Sequence, residues 1–129
     1  MQARLNHRQA SPDAMKTLSD MRTYLHNCGL DRKLRVLIEL RVSQINGCAY
    51  CVDLHANEAR AEGETQQGLD CLGVWREVPF FDARKRTALA WAEALSLIAE
   101  THAPDDIHAE VSVQFSAKEL VDLSLAIAA

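Results

Sequence analysis

Apolar residues in this chain recur three and four positions apart, and capping side chains, glycines and prolines interrupt the pattern at short intervals. Helices of a few turns, packed on one another, satisfy that rhythm. Ser11-Pro12-Asp13 supplies an N-cap, a first-turn proline and an acid. It opens a helix with Met15, Leu18, Met21 and Leu25 on one face, ended by Gly29. Asp31 can cap a second helix, with Leu34, Leu37, Ile38 and Ile45 on one side, which Asn46-Gly47 closes. A third runs from about Cys48 to Ala61 and stops at Gly63, and Thr65 can cap a short fourth segment through Leu72. Pro79 breaks the chain before Asp82, which opens the longest helix, roughly Ala83 to Glu100. Pro104 starts another, and Ser116-Ala117-Lys118-Glu119 is a capping box for the last.

Aromatic residues make up only 5% of the chain against 48% apolar, so the core must be mostly Leu, Ile, Val, Ala and Met. That mixture suits helix-on-helix packing better than a sheet. With 129 residues, no internal repeat and no long linker, the expectation is one all-α domain over 1–129, able to bury its core without disulfide staples. The apolar series Leu120, Leu123, Ile127 of the last helix runs to Ala129 with no C-cap, glycine or polar tail. An unfinished face of that kind packs on a partner chain or continues in residues beyond Ala129.

The formal charge is −4 and no dense Lys/Arg run exists, which argues against nucleic acid as a partner. The polar stretch Met1 to Ser11 lacks the apolar centre of a signal peptide, and no run is long and apolar enough for a membrane span. A cytoplasmic protein follows as the expectation. Four cysteines in such a protein point to catalysis or metal binding rather than to a disulfide scaffold. Cys28 and Cys71 stand alone and read as small buried hydrophobes.

Cys48, Cys51 and His55 fall at i, i+3 and i+7, on one face of a helix. Cys48 follows Gly47 at the helix start, where unpaired N–H groups and the macrodipole favour an anion. A free thiol is about 3% ionised at pH 7, and one lowered to about 6 is about 90% ionised. The spacing also lets the two sulfurs close a disulfide without unwinding the helix. A redox-active dithiol is the leading reading. A zinc site on Cys48, Cys51 and His55 lacks an evident fourth ligand. Two structural cysteines remain open, and a thioredoxin-type fold would need alternating strands that the pattern does not contain.

The block from Leu40 to His55, LRVSQINGCAYCVDLH, resembles the signature of the AhpD-like alkylhydroperoxidases, within the wider carboxymuconolactone decarboxylase superfamily. The likeness extends through Ala61 to Thr65, Trp75 to Glu77, Ala88 to Leu95 and Phe115 to Leu120. It implies an all-α AhpD-like helical bundle, homo-oligomers (trimers or hexamers) and reduction of organic peroxides through the CxxC pair, without cofactor or metal. It further implies that Cys51 attacks the peroxide, Cys48 resolves the sulfenic acid as a disulfide, His55 serves a proton relay, and a thiol or dihydrolipoyl-type compound is the reductant. The helix dipole alone would favour Cys48, but the i, i+4 relation puts His55 beside Cys51.

The family's relay glutamate lies twelve residues before the first cysteine, where this chain has Val36. Glu39, one turn further along the same helix and about 60° away in angle, is the candidate substitute. The departure at Val36 also admits a dithiol electron relay or a non-catalytic oligomer. Lactone decarboxylation is a third possibility, but it has no need of a dithiol. Among other titratable groups, His7 and His26 are assigned to polar faces, and His102 and His108 to solvent around Pro104. Glu58 can orient His55, and Glu93 can point inward beside Trp91.

Overall fold

A computed structural model describes residues 2–129. It contains nine α-helices and one 3₁₀ helix, with no strand among the described residues. The helices are α1 (His7–Ala10), α2 (Pro12–Asn27), α3 (Arg32–Asn46), α4 (Ala49–Ala61), α5 (Gln66–Asp70), α6 (Ala83–Ser96), α7 (Ile98–Thr101), α8 (Asp105–Gln114) and α9 (Ala117–Ala128). The 3₁₀ helix, Leu72–Glu77, joins α5 to α6 and is kinked at Val74.

α3 and α6 pack on each other at the centre, with α4 against α3, α8 against α6, and α9 across both. Their shared core is aliphatic: Val36, Leu37, Ile38, Leu72, Leu89, Val111 and Leu123 are fully buried. Of the caps foreseen in the sequence, Asp31, Thr65, Asp82 and Ser116 each close with a side-chain bond, whereas Ser11 stands at the N-cap of α2 without one. The Asp31 carboxylate accepts from the Leu34 N–H at 3.0 Å, and Ser116 and Glu119 close a capping box. Gly47 takes a left-handed conformation (φ 66°) and ends α3 in a Schellman turn, Gly47 N–H donating to Gln44 O and Cys48 N–H to Ser43 O. That turn folds α4 back along α3 and starts it at the first cysteine.

Four expectations need correction. The helix opened by Asp82 ends at Ser96, not Glu100. Leu97 leaves the helical region (ψ 36°), and the Thr101 hydroxyl donates to the Ala94 carbonyl at 2.6 Å, folding a separate turn back on α6. The longest helix is therefore α2, with 16 residues. Second, α2 buries only Leu25, and Leu18 remains 49% exposed. Third, the apolar series of α9 is covered within the chain and does not wait for a partner. Leu123 and Ile127 are buried and Leu120 is packed against the same core, because α3 and α6 cover that face. Fourth, Glu93 meets Trp75, not Trp91. It accepts from Trp75 Nε1 at 2.9 Å, from Arg41 at 3.0 Å and from Arg76, while Trp91 donates to Ser124. Burial pushes the Glu93 carboxyl up, and the bonds from Arg76, Trp75 and Arg41 outweigh it, leaving it below the ordinary carboxylate range. His7, His102 and His108 are exposed, although the His108 ring also meets Trp91 edge-on.

Candidate redox site

Cys48 is the N-cap of α4 rather than its first residue, and its sulfur accepts from the Cys51 N–H at 3.3 Å. Cys48 and Cys51 are joined as a disulfide with their Cα atoms 5.3 Å apart, a separation one helical turn supplies without backbone movement. Both are partly buried. Cys28 and Cys71 are free and partly buried.

One turn beyond Cys51, His55 is buried. Its Nδ1 lies 2.8 Å from Glu58 Oε2 on its own helix and 3.5 Å from Glu39 Oε2 on α3. Carboxylates only accept, so Nδ1 carries the ring's proton on that side and Nε2 is left for exchange. Glu39 is therefore not the solvated acid its position on an amphipathic helix would suggest; its side chain is only 11% exposed. Val36 is fully buried among the core aliphatics and is not among the residues that line the cavity with the cysteines.

Two residues of this cluster escaped the sequence reading. The Arg35 guanidinium is buried, with Nη1 2.8 Å from Glu39 Oε1 and Nη2 3.3 Å from His26 Nδ1. A charged residue one turn before Glu39, inside the apolar run Leu34 to Leu40, was the available signal. His26 sits on an exposed part of α2, as expected, yet it also borders the site. Cys48, Cys51, His55, Leu25, Val42 and Ile127 all line one cavity of about 160 Å³, with Arg35, Glu39 and His26 on its polar wall.

The zinc arrangement considered from sequence used both sulfurs, which here are bonded to each other. Donor atoms of Glu39, His55 and Glu58 lie within 4.8 Å of one another, but Arg35 already occupies Glu39 from the other side. That is three donors where a structural zinc takes four.

A helical bundle that presents a CxxC pair at a helix N-terminus, over a buried histidine, defines an AhpD-like fold. The chain belongs to the carboxymuconolactone decarboxylase family, whose profile it matches over residues 12–94. It is 37% identical to the Bacillus subtilis (strain 168) protein YdfG over 127 residues, covering 98% of this chain and 86% of YdfG. With Escherichia coli (strain K12) YnjA it shares 30% identity over 95 residues, 74% of this chain and 52% of that one. A crystal structure from Agrobacterium tumefaciens, of a protein of unknown function offered as a candidate antioxidant defence protein AhpD, superposes with a TM-score of 0.93. The two chains are 40% identical, with 98% and 87% of their lengths covered. No helix is long and apolar enough to cross a membrane among the described residues.

Proposed function

We propose that this protein is a dithiol peroxidase that reduces organic hydroperoxides through Cys51 and Cys48. One observation carries the reading: the Cys48–Cys51 bridge lines the same cavity as a buried histidine whose Nδ1 faces two carboxylates. The Cys51 thiolate attacks the terminal peroxide oxygen, the O–O bond breaks, and the alcohol leaves with a proton supplied through His55, giving a sulfenic acid at Cys51. The Cys48 thiol then attacks that sulfur, water leaves, and the disulfide forms. A thiol or dihydrolipoyl-type reductant returns two electrons and two protons. Glu39 and Glu58 orient His55 and balance its charge as the proton passes. The free thiols of Cys28 and Cys71 fit a reducing, cytoplasmic compartment. A homo-oligomer completes the reading, since α2 leaves apolar surface uncovered.

Lactone decarboxylation, the chemistry in the family's name, has no use for two cysteines one turn apart, and the dithiol favours redox work. Anaerobic titration of thiols before and after one equivalent of cumene hydroperoxide tests the proposal. Two thiols per chain should disappear; an unchanged count overturns it.

A further inference from the structure

We propose that Arg35 is a positioning residue for the dithiol, holding the Glu39 carboxylate against His55, with His26 holding Arg35 in turn. The inference rests on the reading of Cys51 as the attacking thiol.

Arg35 lies in the apolar stretch of α3, and its side chain is 4% exposed. A guanidinium cannot shed its proton, so its burial is costly unless it is paired. A leucine or methionine would fill the same space at no such cost. The partners of Arg35 are Glu39 Oε1 at 2.8 Å and His26 Nδ1 at 3.3 Å, and all three residues border the cavity that the cysteines line. Since a guanidinium only donates, His26 Nδ1 accepts and the proton of that ring sits on Nε2.

The grip on Glu39 is one-sided. Oε1 is taken by Arg35, while Oε2 is buried, has no hydrogen-bond partner among the described residues, and lies 3.5 Å from His55 Nδ1. Glu58 already approaches the same nitrogen at 2.8 Å. Two carboxylates at one ring nitrogen repel each other, and the cation behind Glu39 offsets that repulsion. The row then runs guanidinium, carboxylate, imidazole and, once the disulfide is reduced, the Cys51 thiolate, so that His55 stands between two anions with a cation behind the first. Without Arg35, the Glu39 side chain is free to turn away from the ring, and the thiolate loses part of the support that reaches it through His55.

The test uses the reduced full chain and iodoacetamide, with alkylation of Cys51 followed by mass spectrometry from about pH 5 to about pH 9. Arg35→Met should slow the reaction at neutral pH about tenfold and move the profile to higher pH. Arg35→Lys, which keeps a cation, should recover most of the loss. In a Glu39→Gln background, Arg35→Met should add less than about twofold, because the two residues act as one unit. A wild-type profile in Arg35→Met overturns the inference, and so does an equal loss in Arg35→Lys and Arg35→Met, which marks a packing role. Should Arg35→Met not fold, His26→Leu decides: a slowing of about threefold supports the inference and an unchanged profile overturns it. None of these readouts needs peroxide turnover. A wild-type dithiol that survives cumene hydroperoxide, combined with shifted profiles in the variants, removes the proposed activity and leaves the role of Arg35 standing.

Discussion

Glu39 on α3 brings Oε2 within 3.5 Å of Nδ1 of His55 on α4, across two helices that pack against each other. Val36, one turn earlier, is fully buried in the aliphatic core. A carboxylate at 36 would face hydrocarbon, whereas one at 39 faces the histidine. Glu39→Gln should therefore slow the second-order reaction with cumene hydroperoxide about a hundredfold, within the range typical of acid–base assistance. Val36→Glu should bring no gain in rate and cost about 3 kcal/mol of stability through a buried, unpaired carboxyl. Stopped-flow kinetics and urea unfolding measure the two effects.

The cysteines separate by a trapping experiment. Cys48→Ser should permit one turnover and leave a sulfenic acid at Cys51 that a dimedone-type reagent captures, and Cys51→Ser should consume no peroxide. Mass spectrometry locates the adduct. An adduct at Cys48 in the Cys51→Ser protein, with none at Cys51 in the other variant, reverses the roles.

Away from the site, Asp122 is buried on α9 and accepts from Lys118 Nζ at 2.6 Å and from the Tyr24 hydroxyl at 2.7 Å. The Lys118 bond, followed by the Tyr24 bond, holds the Asp122 carboxyl below its ordinary range against the opposing effect of burial. A carboxylate depressed in the folded state stabilises it above the unfolded-state value, near pH 4, and that contribution fades as pH falls further. Asp122→Asn should lower Tm by about 5 °C at neutral pH. The gap to the wild type should narrow below about pH 4. Thermal unfolding across the pH range tests this.

Leu18 stands 49% exposed on α2, with Met15 and Met21 only half-covered on the same face. Light scattering should return a mass that is a multiple of 14.4 kDa at micromolar concentration, and Leu18→Glu should shift it towards the monomer. A monomer mass for the wild type would refute the oligomer.

Much of this fold can be read from local chemistry. Asp31, Gly47, Thr65, Asp82 and Ser116 each start or stop a helix through a bond to nearby backbone, and each does so here. The break at Leu97 was not legible, because it depends on a hydroxyl four residues later reaching back to Ala94. The face of α9 was misread for a related reason: what covers Leu123 and Ile127 comes from α3 and α6, far away in sequence. Cys48, Cys51 and His55 were legible because one helix fixes their spacing. Glu39 could only be nominated, since its contact with His55 is set by how α3 and α4 pack. Arg35, and the contact His26 makes with it, went unnoticed because their meeting joins two helices whose approach no short pattern encodes.

The bridge between Cys48 and Cys51 closes over a single turn that α4 already holds in shape. Opening it releases almost no chain, so the oxidised and reduced proteins should share one outline and differ at two atoms. A reductant would then find its target by touching the sulfurs themselves. On the proposed chemistry, the protein would store oxidising equivalents, filling and emptying without a change of form.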